Sequence, residues 1–294
     1  MMAASHADSP RAGATVDSRT IASIVRAALH EDIGRGDLTS MLTIPPGVRA
    51  RGVLLAKQDG VMAGGAVVAE CFVQNEPCCS LTELLPDGEP FKSGDHLGRI
   101  EGTACGLLGA ERVALNFLQR LCGVATLTRE FADAVEGTGA RVTDTRKTTP
   151  GLRVLEKAAV IAGGGSNHRF ALYDGILIKD NHIRLAGGIA QAVARAREGA
   201  PHTLKIEVET AHLGEVREAL EAGADIIMLD NMDDDMMAEA VRIVGEQALV
   251  EASGGMRLER VREVALLGVD LISVGRLTHS ATAVDISLEL ELLN

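Results

Sequence analysis

The sequence predicts an α/β protein whose second half is an incomplete α/β barrel, and three observations carry that prediction. First, after Gly139 the chain alternates strand-type and helix-type segments: TLKIEVE, helix 211–222, DIIMLDN, helix 233–245, ALVEAS, helix 257–267, DLISVG. Strand starts near Leu204, Asp225, Ala248 and Asp270 recur every 21–23 residues, the spacing of consecutive βα units. Parallel strands with right-handed helical crossovers give a doubly wound sheet or a barrel, and the unbroken series favours the barrel. Second, hydrophobic residues make up 46% of the chain and aromatics only 2%, with 32 Gly and no Trp. Short aliphatic strands under Ala-rich helices have this composition. Third, the polar residues gather at the carboxyl ends of the strands, where α/β barrels place their active sites. Further strands are expected at Val142–Asp144 and Ile176–Ile178, so a complete eight-unit barrel does not fit between 140 and 275.

Taken in order, residues 1 to about 17 are small and polar, and are expected to be disordered. Ile21, Ile24, Val25, Ala28 and Leu29 follow at helical spacing, with Asp17 or Ser18 placed to cap the start. EDIGRGDLTS is a Gly-punctuated turn. From Arg51 to Gly102 short β-type runs appear (GVLLAK, GVMAGG, SLTELL, LGRIEG), broken by DG, PDG and SGD turns. Ala104 to Val135 reads as one helix without Pro. Arg112 lies inside it, and by spacing alone it is an exposed helix charge.

Charge and cysteine usage exclude several functions. The chain carries 29 Lys+Arg against 41 Asp+Glu, a net charge of −12. Between Arg146 and Arg184, however, seven Lys/Arg face three Asp/Glu, with His168 and His182 beside them. A cationic island in an acidic chain fits a cleft for a small, highly charged anion; a nucleic-acid face would tilt the whole domain basic. Solvated surface charge is the plain alternative, but these residues alternate with Gly, Ser, Thr and Asn rather than riding a helix face. The few aromatics rule out a stacking platform for single strands. The five cysteines are odd in number and form no C-x-x-C spacing, as expected of reduced core thiols in a cytosolic protein. No apolar run reaches the ~18–20 residues that span a bilayer, and no signal-peptide apolar region is present.

The strand ends assemble two subsites. Arg146 and Lys147 follow the strand at 142–144, and Lys179, Asp180 and Asn181 follow ILI. Glu209, then Asp230 and Asn231, then Glu251–Ser253–Gly254–Gly255, then Gly275 close the later strands. Two Gly turns on successive late strands, SGG and SVGR, suit a phosphate. Arg146, His168, Arg169 and Lys179 suit carboxylates, because guanidinium pairs with them through two parallel bonds. Glu209 and Asp230 can bind Mg²⁺, hold sugar hydroxyls, or stabilise positive charge on a sugar carbon. Lys179 at a strand end also permits Schiff-base chemistry of the barrel-aldolase kind, though that leaves the surplus of cations without a role.

TRKTTPGLR, GGGSNHR, LIKDNH, IEVE, IIMLDN, EASGG and GVDLISVGRLTHS, with the upstream EDIGRGDLTS and ERVALNFLQRLCGVAT, together resemble the quinolinate phosphoribosyltransferase family (nicotinate-nucleotide pyrophosphorylase, carboxylating). The motifs stand in order from about residue 20 to the end. The resemblance implies a type II phosphoribosyltransferase: an N-terminal α/β sandwich domain (18–122), an incomplete α/β barrel (123–278), and a C-terminal segment (279–294) returning to the first domain. It implies transfer of phosphoribosyl from phosphoribosyl pyrophosphate to quinolinate, with Mg²⁺, giving nicotinate mononucleotide, pyrophosphate and CO₂ in NAD biosynthesis. It also implies a homodimer or higher homo-oligomer with shared active sites, and no nucleic-acid or membrane partner. By the same resemblance Arg112 (from the partner subunit), Arg146, His168, Arg169 and Lys179 bind quinolinate. Lys147, Glu209 and Asp230 are catalytic and lie on the phosphoribosyl pyrophosphate and metal side, the two carboxylates holding the metal directly or through the substrate. Ser253, Gly254, Gly255 and Gly275 bind the 5′-phosphate. The rivals are a molybdenum-transport-associated ModD-type paralogue acting on another pyridine or ribosyl substrate, and a non-catalytic phosphosugar-binding subunit.

Overall fold

A computed structural model describes residues 16–293; residues 1–15 of the tail expected to be disordered lie outside the described residues. Helix α1 (Ser18–Ile33) starts at Asp17, whose carboxylate accepts from the Thr20 amide at 3.1 Å, and it buries Ile21, Val25 and Leu29. The turn after it ends on Asp37, which caps α2 (Leu38–Thr43) by accepting from the amides of Thr39 and Ser40 at 3.0 and 3.2 Å.

Strands β1 (Arg49–Ala56), β2 (Gly60–Val61), β3 (Ser80–Thr82), β4 (Pro90–Phe91) and β5 (His96–Thr103) occupy the region read as short β-type runs. In their midst stands an unforeseen helix, α3 (Gly65–Asn75), which buries Val67, Val68, Cys71 and Phe72. GAVVAECFV is apolar nearly throughout, so neither a period of two nor one of 3.6 marks it, and buried helix and buried strand look alike. Helix α4 (Ala104–Ala134) runs unbroken for 31 residues from the Thr103 cap, close to the span expected. Two of the five thiols, Cys71 and Cys122, are buried; Cys78 is exposed, so not all are core groups.

The second half contributes β6 (Arg141–Thr143), α5 (Arg153–Ala162), β7 (Ile176–Ile178), α6 (Asp180–Ala186), α7 (Ile189–Gly199), β8 (Ile206–Thr210), α8 (Leu213–Glu221), β9 (Ile226–Asp230), α9 (Asp234–Val244), β10 (Leu249–Ser253), α10 (Leu258–Leu266), β11 (Leu271–Ser273) and the short α11 (Arg276–His279). Six strands form one parallel sheet in the order β6-β11-β10-β9-β8-β7. Its two edge strands are β6 and β7. The seam between them is entered by the segment after α5, where Ser166 bridges Thr143 in parallel. This is the incomplete barrel, and the register levels its strand ends: Ser253 sits opposite Asp230, and Ser273 opposite Thr143. The loops beyond those ends therefore open onto one place.

The chain then returns. β12 (Ile286–Leu292) pairs antiparallel with β1, from Ile286 against Ala56 to Leu292 against Ala50, in a four-stranded sheet of order β12-β1-β5-β3. On the way it crosses α4 at close range. Val284 donates its amide to Gln119 O at 3.0 Å, and Gln119 Nε2 donates to Ile286 O at 2.7 Å. At the crossing only glycine fits, because a Cβ on Gly123 would lie 2.1 Å from the backbone oxygen of Thr282. No helix among the described residues is long and apolar enough to cross a membrane.

Gly123→Ala must push two backbones apart and is expected to lower the unfolding free energy by about 3 kcal/mol, the upper part of the overpacking range. Gly199→Ala at the end of α7, where a Cβ meets nothing within 4 Å, serves as the control and should change it by less than about 1 kcal/mol. Urea titrations of both variants check the contrast.

Candidate active site

A cavity of about 830 Å³ opens at the carboxyl ends of the barrel strands. Arg146 and Lys147 reach it from the loop after β6, His168 and Arg169 from the segment filling the seam, and Lys179 from the end of β7. Glu209 and Asp230 end β8 and β9, and the glycine loops contribute Ser253, Gly254, Gly255 and Gly275. Every site residue expected from the sequence except Arg112 thus lines one cavity. Arg112 is exposed on α4, away from this wall.

Two buried charge networks hold the cationic end. The Asp144 carboxylate, fully buried, accepts from Lys157 Nζ, from Asn167 Nδ2 at 2.7 Å and from the His168 amide at 2.9 Å; Lys157 also donates to His168 O at 3.0 Å. Burial pushes the Asp144 carboxyl up and the Lys157 ammonium down from their ordinary values, each against the pull of its partner. The neighbouring Glu156, also fully buried, accepts from Arg120 Nη2 at 2.8 Å and from the amide and hydroxyl of Thr149 at 2.9 and 2.8 Å. Arg120 continues to the carbonyls of Ala281 and Thr278, and the Thr278 hydroxyl donates to Lys147 O at 2.7 Å. Arg153, part of the cationic island, donates to the Thr148 hydroxyl at 2.9 Å and to Phe170 O at 3.2 Å, so it holds the loops rather than the ligand.

The guanidiniums that remain are short of partners. Nε of Arg146 and Nε of Arg169 are both buried and have no hydrogen-bond acceptor. Arg169 donates through Nη1 to Gly175 O at 2.9 Å, and burial, followed by the nearby Arg146 charge, draws its pKa down. Two desolvated cations side by side are unfavourable until an anion joins them. Lys179 is paired with Glu209, which occupies the amine a Schiff base would need free. On the far wall, the Asn231 amide donates to Ser253 O at 3.1 Å, and its side chain donates to Asp230 at 3.0 Å. Gly254 adopts φ +92, and a Cβ there would lie 2.3 Å from Asn231 Oδ1. The loop and Asp230 are therefore locked together by a glycine.

Two family models match the chain: the N-terminal domain of quinolinate phosphoribosyl transferase over residues 37–122, and its C-terminal domain over residues 124–289. The chain belongs to the quinolinate phosphoribosyltransferase family. It is 44% identical over 264 residues to the probable nicotinate-nucleotide pyrophosphorylase (carboxylating) of Bacillus subtilis, with 90% of this chain and 91% of that protein covered. It is 42% identical over 287 residues to the decarboxylating quinolinate phosphoribosyltransferase 2a, mitochondrial, of Nicotiana tabacum, covering 91% and 81%. Its fold matches the crystal structure of NadC from Streptococcus pyogenes with a TM-score of 0.91 at 38% identity, over 95% of this chain and 99% of that one.

In this quinolinate phosphoribosyltransferase chain Arg276, the last residue of the SVGR turn, lines the wall beside the glycine loops as that turn implies, and Arg257 and His279, lone charges without a distinguishing spacing, join it there. Glu207 and Glu251 lie deeper, inside the barrel on β8 and β10, facing His168. Their signal was available: a Glu within a buried parallel strand is a charge where only apolar residues are expected. Burial, then the charge of Glu207, pushes the Glu251 carboxyl up to about 7. The imidazole of His168 is lowered by burial, but the hydrogen bond and charge of Glu207 outweigh this and leave it raised.

Glu209 and Asp230 offer hard carboxylate oxygens of the kind Mg²⁺ takes, yet they belong to no cluster of three protein donors among the described residues. Two carboxylates fit Mg²⁺ only when waters and substrate oxygens complete its shell.

The Glu251 carboxyl has an ordinary pKa of 4.5 and a folded value of about 7. Its favourable contribution is full below 4.5 and is lost as pH rises to about 7, because only the unfolded chain ionises freely in that window. The melting temperature of the wild type relative to Glu251→Gln should therefore fall between these pH values and level off above them. Thermal scans of both proteins across pH 5–8 test this.

Proposed function

We propose that this chain transfers phosphoribosyl from phosphoribosyl pyrophosphate to quinolinate with loss of CO₂, giving nicotinate mononucleotide and pyrophosphate for NAD biosynthesis. The unpartnered buried Nε groups of Arg146 and Arg169 carry this reading. A dicarboxylate supplies the acceptors they lack, and Lys179 and the His168 ring complete that end of the cavity. The 5′-phosphate of the donor takes the loops of Ser253, Gly254, Gly255 and Gly275, where the left-handed Gly254 and Gly255 and the side-chain-free Gly275 bring backbone close to an anion. Lys147 runs between the two ends, its Cδ against Gly275, and from there it reaches the donor's pyrophosphate.

As pyrophosphate leaves, positive charge develops at C1 of the ribose. Glu209 and Asp230 stand on that side of the cavity and stabilise it, with their positions fixed by Lys179 and Asn231. Glu209 and Asp230 are the residues that would hold Mg²⁺, which would supply charge neutralisation to the pyrophosphate. Once the pyridine nitrogen is alkylated, the C–CO₂ bond beside it breaks, CO₂ departs, the electron pair left on that carbon is stabilised by the adjacent cationic nitrogen, and a proton from solvent then replaces the lost carboxylate. The protein needs to bind, align and exclude water for that step.

Arg112 completes the quinolinate pocket from the partner subunit of a homodimer. Its exposure in the single chain, away from its own cavity, supports this. The division at 122/123 is supported by the boundary between the two matched family domains, although α4 runs straight through it. The free thiols and the lack of a membrane-crossing helix among the described residues accord with a cytoplasmic location.

With Mg²⁺, phosphoribosyl pyrophosphate and carboxyl-labelled quinolinate, the purified protein should release CO₂ and mononucleotide in equal amounts. Turnover of another pyridine but not quinolinate would retire the roles given to Arg112, Arg146, His168, Arg169 and Lys179. For the shared site, Arg112→Ala and Lys147→Ala are each expected to be nearly inactive, while their co-expressed mixture regains activity from hybrid sites holding both native residues. A mixture no better than either parent would place Arg112 outside the site.

A further inference from the structure

Beneath the quinolinate end of the active site lies a second cavity of about 380 Å³ inside the barrel, shared by Glu207, Glu251 and His168. Nε2 of His168 is 3.1 Å from Glu207 Oε2 and 3.7 Å from Glu251 Oε1. On the other side of the ring, Nδ1 accepts the backbone N–H of Arg169 at 2.7 Å. The backbone of His168 is occupied as well, its amide on Asp144 and its carbonyl on Lys157. Every polar atom of this residue is therefore engaged inside the protein.

We propose that Glu207 and Glu251 are positioning residues that hold His168 in the tautomer protonated at Nε2, so that His168 offers no N–H to quinolinate and instead fixes Arg169 as its ligand. The inference rests on the reading of the site given above and refines it. An amide N–H aimed at Nδ1 requires a lone pair there, which leaves the ring proton on Nε2. Nε2 then needs an acceptor, and in a cavity this buried only a carboxylate is at hand. With its amide tied to the ring and Nη1 tied to Gly175 O, Arg169 keeps its Nη2 edge and the buried Nε for the substrate. The aim of that guanidinium follows from the imidazole, and the aim of the imidazole follows from its contact with Glu207 at 3.1 Å, with the Glu251 carboxylate 3.7 Å away adding charge rather than a hydrogen bond.

The two carboxylates also have one buried oxygen each, Oε1, without a hydrogen-bond partner. The ligand atoms of the three side chains lie within 4.8 Å of one another, so the cluster has the donor types of a divalent-cation site. A cation there would need the Nε2 lone pair, whereas the hydrogen bond needs the Nε2 proton, and the two arrangements give opposite spectra.

The test is ¹⁵N NMR of histidine-labelled enzyme, with the His168 signal assigned by its loss in His168→Gln. In the ligand-free enzyme Nδ1 should be of the unprotonated type and Nε2 of the protonated type, and saturating quinolinate or added Zn²⁺ should leave both unchanged. A proton on Nδ1, a switch on binding quinolinate, or loss of the Nε2 proton to Zn²⁺ would overturn the proposal. In kinetics, Glu207→Met, which removes the acceptor at similar length, should raise the quinolinate KM about tenfold and leave the donor KM within about twofold. Glu207→Gln, which keeps an acceptor oxygen, should recover most of the loss. Equal increases in both KM values, or no recovery with Gln, would reduce Glu207 to a packing residue and overturn it. Should Glu207→Met fail to fold, the wild-type spectrum decides alone. Because that spectrum needs no turnover, a protein inactive on quinolinate yet showing the expected tautomer would defeat the reaction assignment and leave the His168–Arg169 arrangement standing.

Discussion

Two consecutive residues of α5, Glu156 and Lys157, are buried charges of opposite sign, and the cationic end of the site depends on both. Each faces a different loop. Lys157 takes Asp144 and the His168 carbonyl, fixing the segment that carries His168 and Arg169. Glu156 takes Arg120 and Thr149, fixing the loop that carries Arg146 and Lys147. Burial on this scale adds little net stability, since desolvation cancels most of the attraction. What it secures is geometry. Removing one partner leaves a charge without compensation, at a cost of about 3–5 kcal/mol, so the loops cannot drift without breaking a network in the core.

The cationic island therefore divides by function. Arg153 and Lys157 hold the scaffold, Arg184 is exposed on α6, and Arg146 and Arg169 are left with buried donors that no protein group satisfies. The acidic groups divide in the same way. Glu156 and Asp144 neutralise scaffold cations, while Glu209 and Asp230 stay at the strand ends facing the cavity. An acidic chain can hold a strongly anion-seeking pocket because, among the described residues, Glu209 and Asp230 are the acidic side chains lining it, against Arg146, Lys147, Arg169, Lys179, Arg257 and Arg276.

Much of this is legible in the sequence, for definite reasons. The βα rhythm fixes strands near Leu204, Asp225, Ala248 and Asp270, and β8, β9, β10 and β11 begin at Ile206, Ile226, Leu249 and Leu271. Residues just past those strands meet because parallel strands with level register bring their ends together, so Arg146, Lys179, Glu209, Asp230 and the glycine loops are found by position in the repeat. Pairings across long sequence distance are not legible. That Lys157 faces Asp144, or that Arg120 on α4 faces Glu156 and the Thr278 carbonyl, follows only from how α5 packs. α3 is not legible because its exposed face carries the apolar Ala66 and Val73, so no polar stripe marks the helical burial of Val67, Val68, Cys71 and Phe72. Glu207 and Glu251 stand inside strands whose ends drew the attention, although a buried Glu in IEVE or LVEAS is itself out of place.

The incompleteness of the barrel is what makes the site possible. A closed barrel would run another strand between β6 and β7, and its interior would be filled by layers of side chains. Here the seam receives an irregular segment instead. Ser166 accepts from the Asp144 amide at 3.1 Å and donates its own amide to Val142 O at 2.9 Å, continuing the sheet for a single bridge. Released from strand geometry after that bridge, the chain turns His168 inward over Glu207 and Glu251 and sends Arg169 toward Arg146. A regular strand places successive side chains on opposite faces, so it could not aim these two neighbours at the barrel interior and the active site in concert. The missing strands thus leave room for the one segment that joins the buried glutamates to the cationic end of the cavity.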